Sequence, residues 1–464
     1  RKDSFDRLLL YNAKDAAATQ QVWDRISVEL GTWGDVHNGE VLYDDLRRGS
    51  EISAGMREYG ILVHTKNLAR HHTRLTNRVA YAQRQVRDVA RRWKIAGSAT
   101  FNPGSPEQLT ALFYHRLGAQ PSHFSLLTGA PSVDEEALTR LVLAPKTAVA
   151  ECARAVLRYR RSVKLLGFVR SLDEHTNGGR TPLHAEGRCW GTKTGRWAYK
   201  DPNLTTIPKP RTRRGANGQV ITTFPGLRDC IKARRGFKLI EVDYSQLELR
   251  IVALLSGDQT LLGWYRDDVD VHTENAKRWF HSETPTNSER DLAKRLVYGM
   301  NYGGGAETLW KTLGVDFPGL FLSDIERLMT CWYMDHPQIR MYQQRLLRIA
   351  ATEDYVEAPL SGRREKFYGQ VEPTKVYNFP IQATGADIID AALARIAPRL
   401  ERTKAAVVLQ VHDSLLVESH ASVIGATIEI LREEMERPVA LGKATIRFPV
   451  DVKVGPTWGE VVKV

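Results

Sequence analysis

Apolar residues in this chain follow two rhythms. From Ile61 to Lys94, Leu68, Leu75, Val79, Ala82, Val86, Val89 and Trp93 are separated by three, four or seven positions. That spacing predicts a long helix with one seam packed against another helix. The basic stretch Cys152–Leu172 is the expected antiparallel partner. Between them, "FNPGSPEQL" at 101–109 predicts a loop and then a helix, with Ser105 as N-cap and Pro106 at the first helical position. From about Thr181 the texture changes to strand-like runs alternating with helices. Leu239, Ile240 and Val242 predict a buried strand that runs straight into Asp243, and "AAVVLQVHDSLLVE" at 405–418 predicts a β-hairpin turning at "VHDS". The closing "IRFPVDVKVGPTWGEVVKV" alternates at period two and predicts a final strand pair. The fold class is α/β (α+β), in several domains.

Two of these strands end in an acid, and that is the anomaly. Burying an unpaired carboxylate costs several kcal/mol. Asp243 therefore needs compensation, and Asp413, 170 residues further on, ends an apolar run in the same way. Two carboxylates brought from separate strands to one point suit a hard divalent cation. Mg²⁺ accepts one or two protein carboxylates and fills its shell with water and substrate phosphates. Two such ions about 4 Å apart stabilise both the attacking and the leaving oxygen of a phosphoryl transfer. Read singly, either aspartate is an ordinary strand-end turn residue.

Composition narrows the partner. The 464 residues carry a formal net charge of +12, with 42% hydrophobic and 26% charged residues, an ordinary globular balance. The positive excess favours a polyanion, nucleic acid above all. It is concentrated in places: Ile61–Lys94 holds nine Lys/Arg and one acid, Asp88. That stretch reads as a clamp on a phosphate backbone or as a solvated helical hairpin. No apolar run reaches the roughly 20 residues of a membrane span, so no membrane partner is expected. Cys152, Cys189, Cys230 and Cys331 lack paired spacing and read as free thiols in a reducing compartment.

Phosphoryl transfer also needs cations on the substrate. In "SERDLAKRLVYGMNYGGG" at 288–305, Asn287 or Ser288 can cap a helix on which Arg290, Lys294 and Tyr298 follow at i, i+4 and i+8, on one face. The cations can hold a triphosphate while the ring stacks on a base or sugar. Tyr302 and Gly303–Gly305 end that helix, and His272 in "DVHTENAKRWF" is a further candidate phosphate ligand. Asn378 and Gln382, at i, i+4 in "VYNFPIQATGADIID", present amides suited to minor-groove acceptors.

At this point the chain resembles the family A DNA polymerases, the DNA polymerase I class. "DYSQLELR" resembles the family's first palm motif, "RDLAKRLVYGMNYG" its fingers helix and "QVHDSLLVE" its second palm motif. "TKTGRWAYKDPNLTTIP" (192–208) and "VDVKVGPTW" resemble two further stretches, so the likeness runs from about Gly60 to the C-terminus. It implies a right-hand architecture with an antiparallel-sheet palm, helical fingers and a helical thumb. The implied boundaries are 28–172 for the thumb and entry, 173–248 and 376–464 for the palm, and 249–375 for the fingers.

The resemblance also implies roles. Asp243 and Asp413, with the backbone carbonyl of Tyr244, would bind two Mg²⁺ ions. Arg290, Lys294 and His272 would hold the dNTP triphosphate, with Lys294 also assisting catalysis. Tyr298 would stack on the nucleotide and, with Glu248, form a steric gate against a 2′-hydroxyl, while Tyr302 would occupy the template site. Arg196, Asn203, Asn378, Gln382 and His412 would contact the primer-template near its 3′ end, with Arg160 and Lys164 further back. The implied activity is template-directed DNA synthesis in the cytoplasm of a bacterial or phage-infected cell, or in an organelle.

Departures from the pattern are Ser414, where the family usually has Glu, and Thr206, where it has an amide. Tyr11 and Asp15 resemble the last motif of the family's 3′–5′ exonuclease. Residues 1–27 are therefore expected to be a remnant of that domain without proofreading, or else an amphipathic helix. The chain starts at Arg1 and is expected to be a fragment of something longer. A single-subunit RNA polymerase and a polymerase-like DNA-binding protein without catalysis are the competing readings, with Glu248 arguing against the first and the paired aspartates against the second.

Overall fold

The computed structural model describes residues 17–22, 24–25 and 39–464, apart from 96, 126–127, 143, 145–146, 215–219, 225, 315, 318, 370 and 442–443. Tyr11 and Asp15, on which the exonuclease reading rests, lie outside the described residues.

Helix α1 (Gly39–Tyr59) leads into a long antiparallel hairpin of α2 (Thr65–Arg92) and α3 (Thr147–Thr176). The seam forms as the spacing predicts, with Leu68, Leu75, Ala82, Val86 and Val89 buried. Trp93 does not join it and is 40% exposed, because α2 ends at Arg92 and the chain turns away. Ser105 caps the helix Pro106–Thr110 by accepting from Gln108 N at 3.3 Å. This end of the hairpin has its own core around Phe101, Leu109, Leu112 and Phe113. Each such side chain removed from water contributes about 1.5–3 kcal/mol.

The site is organised by a five-stranded antiparallel sheet. Its strands are β1 (Phe237–Tyr244), β2 (Ala405–Val411), β3 (Ser414–His420), β4 (Val450–Gly455) and β5 (Val462–Lys463), in the order β2-β3-β1-β4-β5. The carboxyl end of β1 is thus flanked on both sides, with Asp243 opposite Ser414 of β3 and Asp451 of β4. β2 and β3 join through the two-residue turn His412–Asp413, closed by the pair Val411–Ser414. His412 takes the left-handed φ of +53° that such a tight turn requires.

Helix α1 packs on β2, and the helix Ile424–Met435 packs on β1, β3 and β4. α4 (Leu247–Ser256) starts directly after β1, and α5 (Val271–Phe280) packs on α6 (Asn287–Asn301). The N-cap of α6 is Thr286 and not the expected Asn287 or Ser288, because Thr286 and Glu289 complete a reciprocal capping box. Tyr302 ends the helix and Gly303 follows with φ +79°. A Cβ at Gly303 would lie 2.8 Å from the Tyr377 ring, so this turn admits glycine alone. Tyr377 belongs to α7 (Pro373–Ile396), which packs against α4. Among the described residues no helix is long and apolar enough to cross a membrane, and all four cysteines are free.

Candidate active site

The sheet brings the two aspartates together. Tyr244 N donates to the carbonyl of Asp413 at 3.1 Å, which pins the β2–β3 turn to the end of β1. Both carboxyls sit among apolar strands, with Leu239, Ile240 and Val242 at most 1% exposed behind Asp243. Burial raises the Asp243 pKa, while Lys209 opposes it. Burial, and then the Glu248 carboxylate, push Asp413 up to about 6, against Arg196 and Lys209. Ser414 spends its hydroxyl on the Val411 carbonyl at 2.9 Å.

Glu248, on the first turn of α4, is paired with Arg196, whose Nη2 also lies 3.9 Å from Asp413 Oδ1. Arg196, rather than Tyr298, its implied partner in the steric gate, holds this carboxylate. Tyr298 still senses the acids, since burial and then Glu248 and Asp413 push its pKa up to about 12.

Helix α6 carries its three side chains as predicted, yet they stand in different environments. Lys294 is exposed, with no ion pair among the described residues. Arg290 is held by Asp270, the N-cap of α5, and by Thr273 Oγ1 at 3.1 Å. Tyr298 lies between His272 and Tyr302, at 5.7 and 6.5 Å between ring centroids. His272 is 1% exposed, and among the described residues neither ring nitrogen has a partner. Burial lowers its pKa to about 4, and the cations Lys294 and Arg290 add to that against Asp270. In this arrangement it is a neutral ring packed against Tyr298, not an open phosphate ligand.

The expected DNA contacts are spread more widely. Asn203 caps the 3₁₀ turn Leu204–Thr206 by accepting from Thr205 N at 3.2 Å. Asn378 and Gln382 lie on α7 near its internal Pro380, and Asn378 Oδ1 is buried without a partner. His412 is exposed on the hairpin turn beside Asp413. Arg160 and Lys164 stand on α3 rather than at this corner; Arg160 Nη1 is bound to the Val133 carbonyl at 2.6 Å, while Lys164 is exposed.

Sequence reasoning missed three groups. Lys209 acts electrostatically on Asp243 and Asp413 alike; its place between Pro208 and Pro210, just after "NLTTIP", was the available signal. Asp270 holds Arg290, and the Arg363 guanidinium fills the space beside Gly195, next to Arg196; nothing in the sequence around either names that partner.

The comparisons with known proteins agree with this geometry. The model for DNA polymerase family A matches residues 66–460. DNA polymerase I of Pseudomonas aeruginosa is 29% identical over 98% of this chain and 48% of its own length. The thermostable DNA polymerase I of Thermus filiformis is 30% identical over 79% of the chain and 43% of its own length. The chain spans about half the length of the curated relatives it matches. Among solved structures, the POL domain of Pol1 from M. smegmatis, in complex with DNA primer-template and dNTP, superposes with a TM-score of 0.75 at 24% identity. That match covers 89% of this chain and 70% of the other, and shows a shared fold. With the two aspartates brought to one corner of one sheet and the family model covering most of its length, this chain belongs to DNA polymerase family A.

Proposed function

We propose that this chain is a template-directed DNA polymerase that adds dNTPs to a primer 3′-hydroxyl with the help of two Mg²⁺ ions. The observation that carries the reading is the Asp243–Asp413 corner: two carboxyls from adjacent strands, locked by the Tyr244–Asp413 hydrogen bond and both raised by burial. Raised carboxyls at one point are a cost that a hard cation removes, and an all-oxygen donor set of Asp243, Asp413 and the Tyr244 carbonyl fits that ion. When bound, the ions would lower the pKa of the primer hydroxyl and screen the charge of the departing pyrophosphate.

The remaining work falls to the chain's own groups. Lys294, without an ion pair among the described residues, can meet the triphosphate, and Arg290 can present its fork once the substrate competes with Asp270. Tyr298 offers a ring to the base or sugar. Glu248, beside it, stands where a 2′-hydroxyl would need room. Sequence comes from pairing with the template, so the protein has to test only the shape of the pair through amides such as Asn378 and Gln382. The basic face of α2 and α3 supplies affinity for the duplex independent of sequence.

Primer extension with Mg²⁺ and either dNTPs or rNTPs tests the reading. Extension with dNTPs and little with rNTPs is expected. No extension overturns the proposal, and equal use of rNTPs moves the chain to RNA synthesis.

A further inference from the structure

Arg196 reaches the acid cluster from the loop Trp190–Trp197, and that loop is held by a residue with no assigned role. Arg363 lies in the turn between the strands Tyr355–Glu357 and Arg364–Lys366. Its side chain is 11% exposed. The guanidinium pairs with Asp387 of α7, donates to the Ala383 carbonyl at 3.3 Å and to Ser361 Oγ at 3.2 Å, and lies 4.7 Å from the Trp190 ring centroid. Its Nη1 is buried with no acceptor among the described residues.

That nitrogen faces Gly195. A Cβ built there would fall 1.5 Å from Nη1, so the guanidinium occupies the space of a side chain at 195. Gly195 itself has φ +79°, and its N–H closes a turn onto the Thr192 carbonyl at 2.9 Å. On the far side of Arg196, Trp197 Nε1 donates to Asp390 at 2.8 Å. Asp387 and Asp390 are one turn apart on α7, so one helix fixes both flanks of Arg196, through Arg363 on one side and Trp197 on the other. Lys193 adds a tie to Glu365 of the same hairpin at 2.8 Å.

We propose that Arg363 is a positioning residue for the primer terminus: it sets the height of the Gly195 turn and so aims Arg196 at Glu248 and Asp413. A planar fork is needed because one group must meet Asp387, Ser361, Ala383 and the Trp190 face together, which an ammonium cannot do. This rests on the polymerase reading of Arg196, so the test is made on binding and does not require extension.

The experiment is a double-mutant cycle on primer-template affinity, read by fluorescence anisotropy without nucleotide, with plain duplex as the reference DNA. Arg363→Ala, Arg363→Lys and Gly195→Ala are each measured with Arg196 present and with Arg196→Ala. All three should weaken primer-template binding by about fivefold to tenfold and reduce the preference over plain duplex, and all three effects should vanish in the Arg196→Ala background. Losses of equal size in both backgrounds, or wild-type binding by Arg363→Ala, overturn the proposal. If Arg363→Ala fails to fold, Arg363→Lys and Gly195→Ala decide by the same criteria. A wild-type chain that binds primer-template without extending it sinks the polymerase reading and leaves the cycle readable; one that shows no preference for primer-template overturns the positioning role.

Discussion

Glu241 and Asp243 are two residues apart on β1 and point to the same face of the sheet. Glu241 is 3% exposed and fully compensated. Arg228 Nη1 reaches it at 2.5 Å, Trp458 Nε1 at 2.9 Å and Lys453 Nζ at 3.4 Å. Arg228 also stacks on Trp458, 3.8 Å from the ring centroid. Burial pushes the Glu241 pKa up, but Trp458 and the two cations outweigh it and the net shift is downward. Asp243 has the burial without an ion pair among the described residues, and its pKa goes up. A carboxylate compensated by protein is part of the scaffold; one left for something else to compensate is part of a site. The scaffold half of the contrast repeats at Asp258 and His336, wholly buried and paired at 2.9 Å, where the acid caps a helix and His336 lies against the Trp264 and Trp332 rings.

The contrast is broken most directly by removing one charge at each position. Asp243→Asn should lower primer extension by about 10⁴-fold while primer-template affinity changes little, because a metal site supplies several kcal/mol to the transition state and DNA binding is distributed. Extension near the wild-type rate would show that Asp243 is scaffold after all. Glu241→Gln should do the reverse. It leaves Arg228 buried beside a neutral amide and should cost about 3–5 kcal/mol in urea unfolding; an unchanged midpoint would deny Glu241 its structural role.

Metal-free stability against pH sharpens the same point. The folded pKa of Asp413, about 6, is above its unfolded value of 3.8. Its contribution is therefore fully present below about pH 4 and lost as pH rises through 6. Asp413→Asn should remove that loss and stabilise the metal-free protein by about 1–2 kcal/mol at pH 8, after allowance for partial exposure. Glu241 runs the other way, stabilising above its unfolded value of 4.5 and fading as pH falls. If Asp413→Asn is less stable than the parent at pH 8 without metal, the carboxyl is not strained by burial.

The smallest expected effect concerns Tyr298, which borders the acids without pairing with them. Its hydroxyl can donate into the pocket that a dideoxynucleotide leaves short of one polar group, and such a bond is worth about 1.5–3 kcal/mol when the acceptor is charged. Tyr298→Phe should raise discrimination against ddNTPs by about tenfold in competition with dNTPs. Equal ratios for parent and variant would remove the hydroxyl from the mechanism.

The chain's own pattern determined the strands and helices that carry the chemistry, because apolar periodicity, turn residues and caps act over a few positions. The buried run before Asp243, the tight turn at His412–Asp413, the α2 seam and the Arg290–Lys294–Tyr298 face were all legible for that reason. What each charge meets was decided only in three dimensions. Arg196 rather than Tyr298 takes Glu248, His272 is closed off beside the Tyr298 ring, and Glu241 and Asp243 part in role although their sequence contexts look alike. Those outcomes depend on Asp270, Arg228, Trp458 and Arg363, whose deciding partners lie 13 to 217 positions away. Electrostatic energy in a low-dielectric interior is set by distance and burial, not by neighbourhood along the chain.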